Sequence, residues 1–179
     1  MITYQDLQNK KDNVTSFIDN AISTYKGDLM YTTAVDAELY ARMLNPTIMQ
    51  YRKMLNTLTG DSVVDIYSAN HKCVSNFFHR FITQENQYLL GNGVTFENEQ
   101  TKEKLGGADF DTQLQKAGLN ALIGGVSYGF LNVDHIEVFK AKEFVPLWDE
   151  ENGALRSGIR FWQIDSNKPL RATLFEEDG

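Results

Sequence analysis

The sequence predicts an α+β fold in which helices come first and an antiparallel β-sheet, arranged as a meander, follows. Apolar residues keep helical spacing before residue 127, and from Ser127 onwards the period changes to two. With 179 residues, of which 42% are hydrophobic, the chain is long enough for one globular unit with an extra arm. We divide it into a helical N-terminal arm, residues 1–60, and an α+β core, residues 61–179.

The first helix is predicted from its start signal. Thr3-x-x-Asp6 is a variant of the capping box, and Ile2 and Leu7 stand at the positions of a hydrophobic staple around it. Apolar side chains then recur at helical spacing as far as Tyr25. The pair Gly27-Asp28 breaks this run.

Two further start signals follow. Thr33-x-x-Asp36 is a second box and predicts a short helix, and Asn45-Pro46 places an N-cap before a proline at the first helical position. The helix after the proline would carry one apolar face: Ile48, Tyr51, Leu55 and Leu58. The apolar faces of this first third need a partner, either on the body of the chain or on a neighbouring copy.

A long amphipathic helix is predicted over residues 70–90, from an N-cap at Asn70 to a left-handed residue at Gly91. Its apolar stripe covers about half of the helix surface: Cys73, Val74, Phe77, Phe78, Phe81, Ile82, Tyr88 and Leu89. We expect this helix to be the longest or nearly so, with the stripe buried, Phe77, Phe81 and Ile82 included. Glu85 points into the stripe, so it has a basic partner, faces another subunit, or lies where the helix end is exposed.

The second half changes from helix to strand. Residues 94–96 read as a short strand, residues 98–105 as a polar helix, and Asp109 as the cap of a helix that is apolar on nearly every side and therefore buried. Short runs rich in β-branched and aromatic residues follow, with turns at residues 149–153 and 165–169. The runs are SYGFLNVD, IEVFKA, EFVPLW, GIRFWQID and LRATLFEE.

The composition bounds the classes of function. The net charge is −7, which argues against a protein that grips DNA, because such proteins replace phosphate counterions with a basic face. The single cysteine excludes an intrachain disulfide and favours a reducing compartment. No apolar run approaches the roughly 20 residues of a membrane span, and the N-terminus lacks the apolar segment of a secretory signal.

Motifs with chemical meaning have plainer structural explanations. His71, Cys73 and His79 fall short of a zinc ligand set, and Cys73 is expected to be buried on the apolar stripe. The glycines of residues 91–93 and 124–125 are read as helix ends rather than phosphate loops, and Asp134-His135 as a turn. We therefore predict no catalytic, cofactor-binding or metal-ligating residues, no cofactor and no enzyme activity.

The ordered series of segments resembles the portal proteins of tailed phages of the siphophage type. The segment NFFHRFITQENQYLLGNGVTF carries the resemblance first. It continues through ALIGGVSYGFLNVD, EFVPLWDEENG, GIRFWQID and LRATLFEEDG, and NPTIMQYRKML before the helix also fits. The likeness covers residues 45–179. No single motif is diagnostic, whereas the ordered series is moderately specific.

The resemblance implies a structural virion protein that forms part of a ring-shaped DNA conduit at one capsid vertex, for genome packaging, ejection and head–tail connection. It implies self-association, as a dodecameric ring in the full-length family, and contacts with the terminase, capsid or scaffold proteins and head-completion proteins. DNA would pass through the channel without tight binding. The implied locations are the virion and, during assembly, the cytoplasm of the bacterial host.

Portal proteins are usually longer, and the matched part resembles their N-terminal wing region. The chain is accordingly expected to be either an engineered fragment or a truncated prophage gene, and to form a monomer or small oligomer in solution. A free-standing α+β module that binds a protein partner without catalysis is the alternative function. Neighbouring terminase and capsid genes would discriminate the two.

Overall fold

The computed structural model describes residues 2–10 and 13–176, without the side chains of Glu99 and Ala108. Helices dominate the first 124 residues and strands the remainder, which confirms the predicted α+β class. The helices in the described residues are α1 Tyr4–Asn9, α2 Val14–Lys26, α3 Leu29–Ala41, α4 Pro46–Gln50, α5 Phe77–Leu90, α6 Glu99–Lys104 and α7 Ala108–Gly124. A short 3₁₀ helix covers Ala141–Glu143.

The strands form three small antiparallel sheets. They are β1 Met54–Asn56 with β2 Ser62–Val64, β3 Ser127–Asn132 with β4 His135–Lys140, and the meander β5 Phe144–Trp148, β6 Leu155–Trp162 and β7 Arg171–Glu176. The meander and both of its turns were predicted. Asp134-His135 lies at the turn between β3 and β4, also as predicted.

One face of the meander carries the main core, because α1 and α2 cover it. Side chains that alternate along β5 and β6 meet the apolar face of α2 there. The buried members are Leu7, Phe17, Ala21, Ile22, Tyr25, Val145, Leu147, Ile159 and Phe161. The Tyr25 hydroxyl donates to the Ala141 carbonyl at 2.7 Å, so this buried hydroxyl is satisfied.

The N-terminus is tied to the same sheet. The predicted capping box of α1 is present, with Thr3 and Asp6 bonded reciprocally. Thr3 also forms a parallel bridge with Trp148, and the Gln5 side chain donates to Asp149 at 2.8 Å. These contacts place α1 beside the β5–β6 turn.

The opposite face of the meander packs on the β3–β4 hairpin through aromatic rings. Phe144 stacks on Tyr128 with centroids 4.5 Å apart and on Phe139 at 5.7 Å. Gly158 lies directly under the Phe144 ring, where a Cβ atom would be 1.9 Å from Cζ. The absence of a side chain at Gly158 is therefore what lets the ring lie flat on β6.

The helix α7 joins this hairpin to the other helices. It packs against β3 and β4 and also contacts α5 and α3. At its end, Gly124 lies close to Ala34 of α3 and Ala141, since an added Cβ would be 3.7 and 3.5 Å from their Cβ atoms. The end of α7 therefore packs closely on α3 and the 3₁₀ helix.

Three predicted helix starts or extents were wrong. The box at Thr33 lies inside α3, which begins earlier because the Asp28 side chain caps the Met30 amide at 3.3 Å. The helix after Pro46 ends at Gln50, because the following residues form the β1–β2 hairpin instead. Residues 70–76 are not helical, so α5 begins at Phe77.

Two local predictions between α5 and α7 were also wrong. Residues 94–96 form no strand, because the Val94 amide donates to the Asp111 carboxylate at 3.1 Å rather than to a neighbouring strand. Gly91 ends α5 with φ −62°, and the positive φ, +72°, belongs to Gly93. The polar helix α6 with Asn98 as its cap agrees with the prediction. The division at residue 60 stays a prediction; β1 and β2 lie on either side of it.

Candidate subunit-contact surface

The inner face of α5 is held on α7 by polar groups. The Asn86 amide donates to the Gln115 carbonyl at 3.0 Å, and the Gln115 amide donates to the Leu90 carbonyl at 3.0 Å. Gly118 allows this approach, because a Cβ there would be 2.4 Å from the Asn86 Oδ1 atom. Ile82 and Asn86 are the buried residues of the helix. At about 100° per residue they lie on one side of it.

The outer face of α5 is aromatic and exposed. Phe77, Phe81 and Tyr88 fall within about 40° of one another around the helix, opposite Asn86. Their exposed fractions are 59%, 64% and 90%. The Phe77 and Phe81 rings stack on each other with centroids 6.3 Å apart. We call these three residues the aromatic ridge.

The prediction that Phe77 and Phe81 are buried was therefore wrong, whereas Ile82 is buried as predicted. The helix turns its amide side, not its aromatic side, to α7, because Gly118 and Gln115 accommodate Asn86 and Leu90 there. Glu85 is exposed on the outer half of the helix, which matches the alternative of an exposed position.

A second exposed apolar surface lies on the β1–β2 hairpin and the residues after it. Every residue of both strands is exposed. Leu58, at the turn, is more exposed than in an extended chain. We call the following set the hairpin surface: Met54, Leu55, Leu58, Val63, Val64, Ile66 and Tyr67.

Local hydrogen bonds give the hairpin a defined shape. The Thr57 amide donates to the Asp61 carbonyl at 2.8 Å across the turn, and Gly60 supplies the positive φ of +88°. At its base, the Asp65 carboxylate accepts from the amides of Tyr67 and Ser68 at 2.9 Å. Hydrogen bonds from Ser68 and Tyr67, with the nearby Lys53 ammonium, lower the pKa of Asp65 in spite of its burial. The Asp65 carboxylate thus holds the backbone at the base of the hairpin, whose apolar side chains are exposed.

Neither surface belongs to the packed core. Among the described residues, neither buried cluster includes a member from residues 42–90. Exposing such side chains to water gains nothing, and contiguous apolar patches beyond a few hundred Å² mark interaction sites. The arrangement can bind a protein surface.

The family described as phage portal protein, SPP1 Gp6-like, matches residues 4–177. The chain belongs to that family. The match covers nearly the whole chain and so includes the N-terminal helices as well as residues 45–179, on which the sequence resemblance rested. No curated protein matches it significantly.

Membership gives this portal protein a structural role in the phage virion. The family is structural and non-catalytic, and portal proteins in general form oligomeric rings associated with the capsid. Among the helices of residues 2–10 and 13–176, none combines the length and apolarity that crossing a bilayer requires.

Cys73 and the pair Asp134-His135, which were considered above for chemistry, belong to neither of the two surfaces. Cys73 is exposed and precedes α5, so its predicted burial was wrong. The His135 ring pairs with the Asp134 carboxylate at 2.8 Å in the β3–β4 turn, and that hydrogen bond lowers the Asp134 pKa. In the described part of the chain, no group of three His, Cys, Asp or Glu side chains could hold a metal ion.

Sequence reasoning missed the hairpin surface, although a signal was present. Thr59-Gly60-Asp61 is a turn sequence, and Val63-Val64 after it is typical of a strand. The helical spacing of residues 48–58 concealed that signal, because apolar side chains four and three residues apart also occur in an irregular segment.

Proposed function

We propose that this chain is a ring-forming subunit of a phage portal, and that the aromatic ridge and the hairpin surface contact the neighbouring subunit. The observation that supports this most directly is the orientation of α5. It presents stacked phenylalanines to solvent and an asparagine to its own fold. In a monomer that orientation is costly, whereas a neighbouring copy covering the ridge would make it favourable.

The size of the exposed surface supports a protein partner. Fully burying an aromatic side chain removes roughly 150–250 Å² from water, so the exposed parts of the ridge amount to roughly 300–500 Å². The seven side chains of the hairpin surface add at least as much again. Together they approach the roughly 800 Å² per partner of a stable interface.

Charge supports a second copy as that partner. Residues 51–88, which include both surfaces, contain four basic side chains, Arg52, Lys53, Lys72 and Arg80, against three acidic ones, Asp61, Asp65 and Glu85. This segment therefore carries +1, which leaves −8 for the rest of a chain whose net charge is −7. A positive segment on one copy is complementary to the acidic body of the next, and a head-to-tail contact of this kind forms a ring when its rotation closes.

In such a ring the chain would form part of the conduit through which the genome is packaged and ejected, and part of the head–tail connection. An acidic subunit suits DNA that must slide, because few phosphate contacts hold it. We propose the terminase, capsid or scaffold proteins and head-completion proteins as further partners, with assembly in the host cytoplasm.

Sedimentation equilibrium on the 20.4 kDa chain tests the contact surface. We expect a monomer in concentration-dependent equilibrium with small oligomers. Phe81→Lys and Leu58→Lys should each shift this equilibrium to the monomer, because a buried ammonium costs several kcal/mol. The matched control is Ile164→Lys, an exposed apolar residue (64%) in the β6–β7 turn, which should leave association unchanged. Equal association of all four proteins would contradict the proposed contact.

A further inference from the structure

A cleft between α3 and α7 is lined by an excess of cations. Its volume is about 220 Å³, and α3, α5, α7 and the end of β4 contribute to its walls. Glu38 stands at its edge with a side chain only 12% exposed, and three cations surround the carboxylate. Arg42 lies 2.6 Å and Lys140 2.9 Å from Oε1, while Lys142 pairs with Oε2.

The Glu38 carboxylate can accept hydrogen bonds from only some of the donors that the three cations offer. Burial opposes ionisation of Glu38, but hydrogen bonds from Lys142 and Lys140 outweigh it and lower the pKa to about 2, so the side chain is a fixed anion. Three cations against one anion leave an excess of two positive charges. Each ammonium has three donors and the guanidinium has five, so most of these donors have no acceptor on Glu38.

The cations remain accessible from the solvent side of the cleft. The exposed fractions of the Arg42, Lys140 and Lys142 side chains are 61%, 37% and 30%. Asn120 also lines the cleft, and its buried Nδ2 atom has no hydrogen-bond partner in the described residues. A buried donor without an acceptor costs free energy, so a ligand that supplies one is favoured there. The unsatisfied groups are donors, and the missing partner is therefore an acceptor.

The inner wall selects the kind of acceptor. Ala34, Gly124 and Ala141 meet there and form a smooth apolar surface. The volume lies below the roughly 300–1,000 Å³ of sites for drug-sized ligands, so a single side chain fits better than a nucleotide. Duplex DNA would also require phosphate contacts spread over a surface, whereas these cations converge on one point.

We propose that this cleft binds a glutamate side chain presented by an acidic segment of a partner polypeptide. The methylene groups of the glutamate lie on the wall of small residues, and its carboxylate accepts from Arg42, the two lysines and Asn120. The site is separate from the aromatic ridge and the hairpin surface, so it does not depend on the proposed ring contact.

The test titrates the full chain with an acetylated, amidated peptide of alternating alanine and glutamate, followed by ¹H–¹⁵N NMR. Binding should shift amide signals of residues 34–42, 119–124 and 140–142. A peptide with glutamine in place of glutamate should bind at least about tenfold more weakly, because hydrogen bonds between charged partners are the strong class. Equal binding of the two peptides, or no binding of the glutamate peptide, overturns the proposal.

Two variants and a control locate the site. Arg42→Gln should weaken binding about tenfold or more, whereas Arg171→Gln, an exposed arginine at the start of β7, should change it less than about twofold. Asn120→Ala should weaken binding without lowering the melting temperature, because it removes an unsatisfied donor. An Arg171→Gln effect as large as that of Arg42→Gln would indicate non-specific charge and overturn the proposal.

Two competitors test the source of the acceptor. Glutarate should displace the peptide only at much higher concentration, and a duplex oligonucleotide should not displace it at physiological salt. Glutarate that binds as tightly as the peptide would make the ligand a free acid. An oligonucleotide that binds with the same dependence on Arg42 would make it nucleic acid. Either result overturns the assignment to a partner polypeptide.

Discussion

Replacing Gly158 by alanine places a methyl group where the Phe144 ring already lies. The added Cβ would be 1.9 Å from Cζ, 2.5 Å from Cε1 and 2.8 Å from Cε2. The ring must therefore retreat by about 1.5 Å to reach an ordinary carbon–carbon contact of about 3.5 Å. Its movement is restricted, because it is 6% exposed and stacked on both Tyr128 and Phe139.

Two costs and one gain set the magnitude. Overpacking of a close-packed site costs about 1–3 kcal/mol, and weakening the two aromatic pairs adds about 0.5–1.5 kcal/mol each. The reduced freedom of the unfolded chain returns about 0.4–1 kcal/mol. We expect Gly158→Ala to lower the free energy of unfolding by about 1–5 kcal/mol.

Urea unfolding followed by tryptophan fluorescence measures this change. The control is Gly129→Ala in β3, where the nearest atom to an added Cβ is the Ile136 Cγ2 atom at 3.6 Å, an ordinary contact. It should stay within about 1 kcal/mol of the parent protein. In a Phe144→Leu background, Gly158→Ala should cost at least about 1 kcal/mol less. A small effect of Gly158→Ala, or equal effects at the two glycines, would refute the packing argument.

Three further predictions concern Glu38, Tyr25 and the activity of the whole chain. Glu38→Gln should destabilise the chain at pH 7: lowering the pKa from 4.5 to about 2 corresponds to at most about 3 kcal/mol, which solvent screening reduces to about 1–2 kcal/mol. This stability is present above pH 4.5 and is lost as the pH falls towards 2, so the urea unfolding curves of the parent and the variant should converge over that window. The control, Glu103→Gln at an exposed position, should change the free energy of unfolding little. Tyr25→Phe should cost about 1–2 kcal/mol in the same assay, because it leaves the Ala141 carbonyl without its donor, and an unchanged midpoint would contradict the bond's importance. The purified chain should show neither ATPase nor nuclease activity and should bind duplex DNA weakly in fluorescence anisotropy at physiological salt; tight, salt-resistant binding would contradict the charge argument.

The sheet half of the fold could be predicted from the sequence because its period and its turns agree. In the meander, side chains of β5 and β6 alternate between two buried faces, and turn residues stand where the strands end. The α1 start was also predictable, since the capping box depends only on residues 3–6. Local chemistry decides these elements, so a local pattern is sufficient.

The exposure of the aromatic ridge could not be predicted, because the direction in which α5 faces depends on α7. Periodicity shows that Phe77 and Phe81 share a face, but not whether that face is turned inward. Asn86 and Gly118 decide the orientation from two helices far apart in sequence. Periodicity alone does not distinguish a face that packs within the chain from one that stays exposed.

The long separation between the two halves of the main core has a consequence for synthesis on the ribosome. Tyr25 bonds a carbonyl 116 residues later, and Gln5 bonds a side chain 144 residues later. At about 5–20 residues per second, roughly 6–25 s pass between emergence of α2 and emergence of the strands that cover it. During that time the nascent N-terminal helices present Phe17, Ala21 and Ile22 to the surrounding solvent. Early chain release or slow elongation would therefore expose this face to chaperones and proteases before the sheet can close over it.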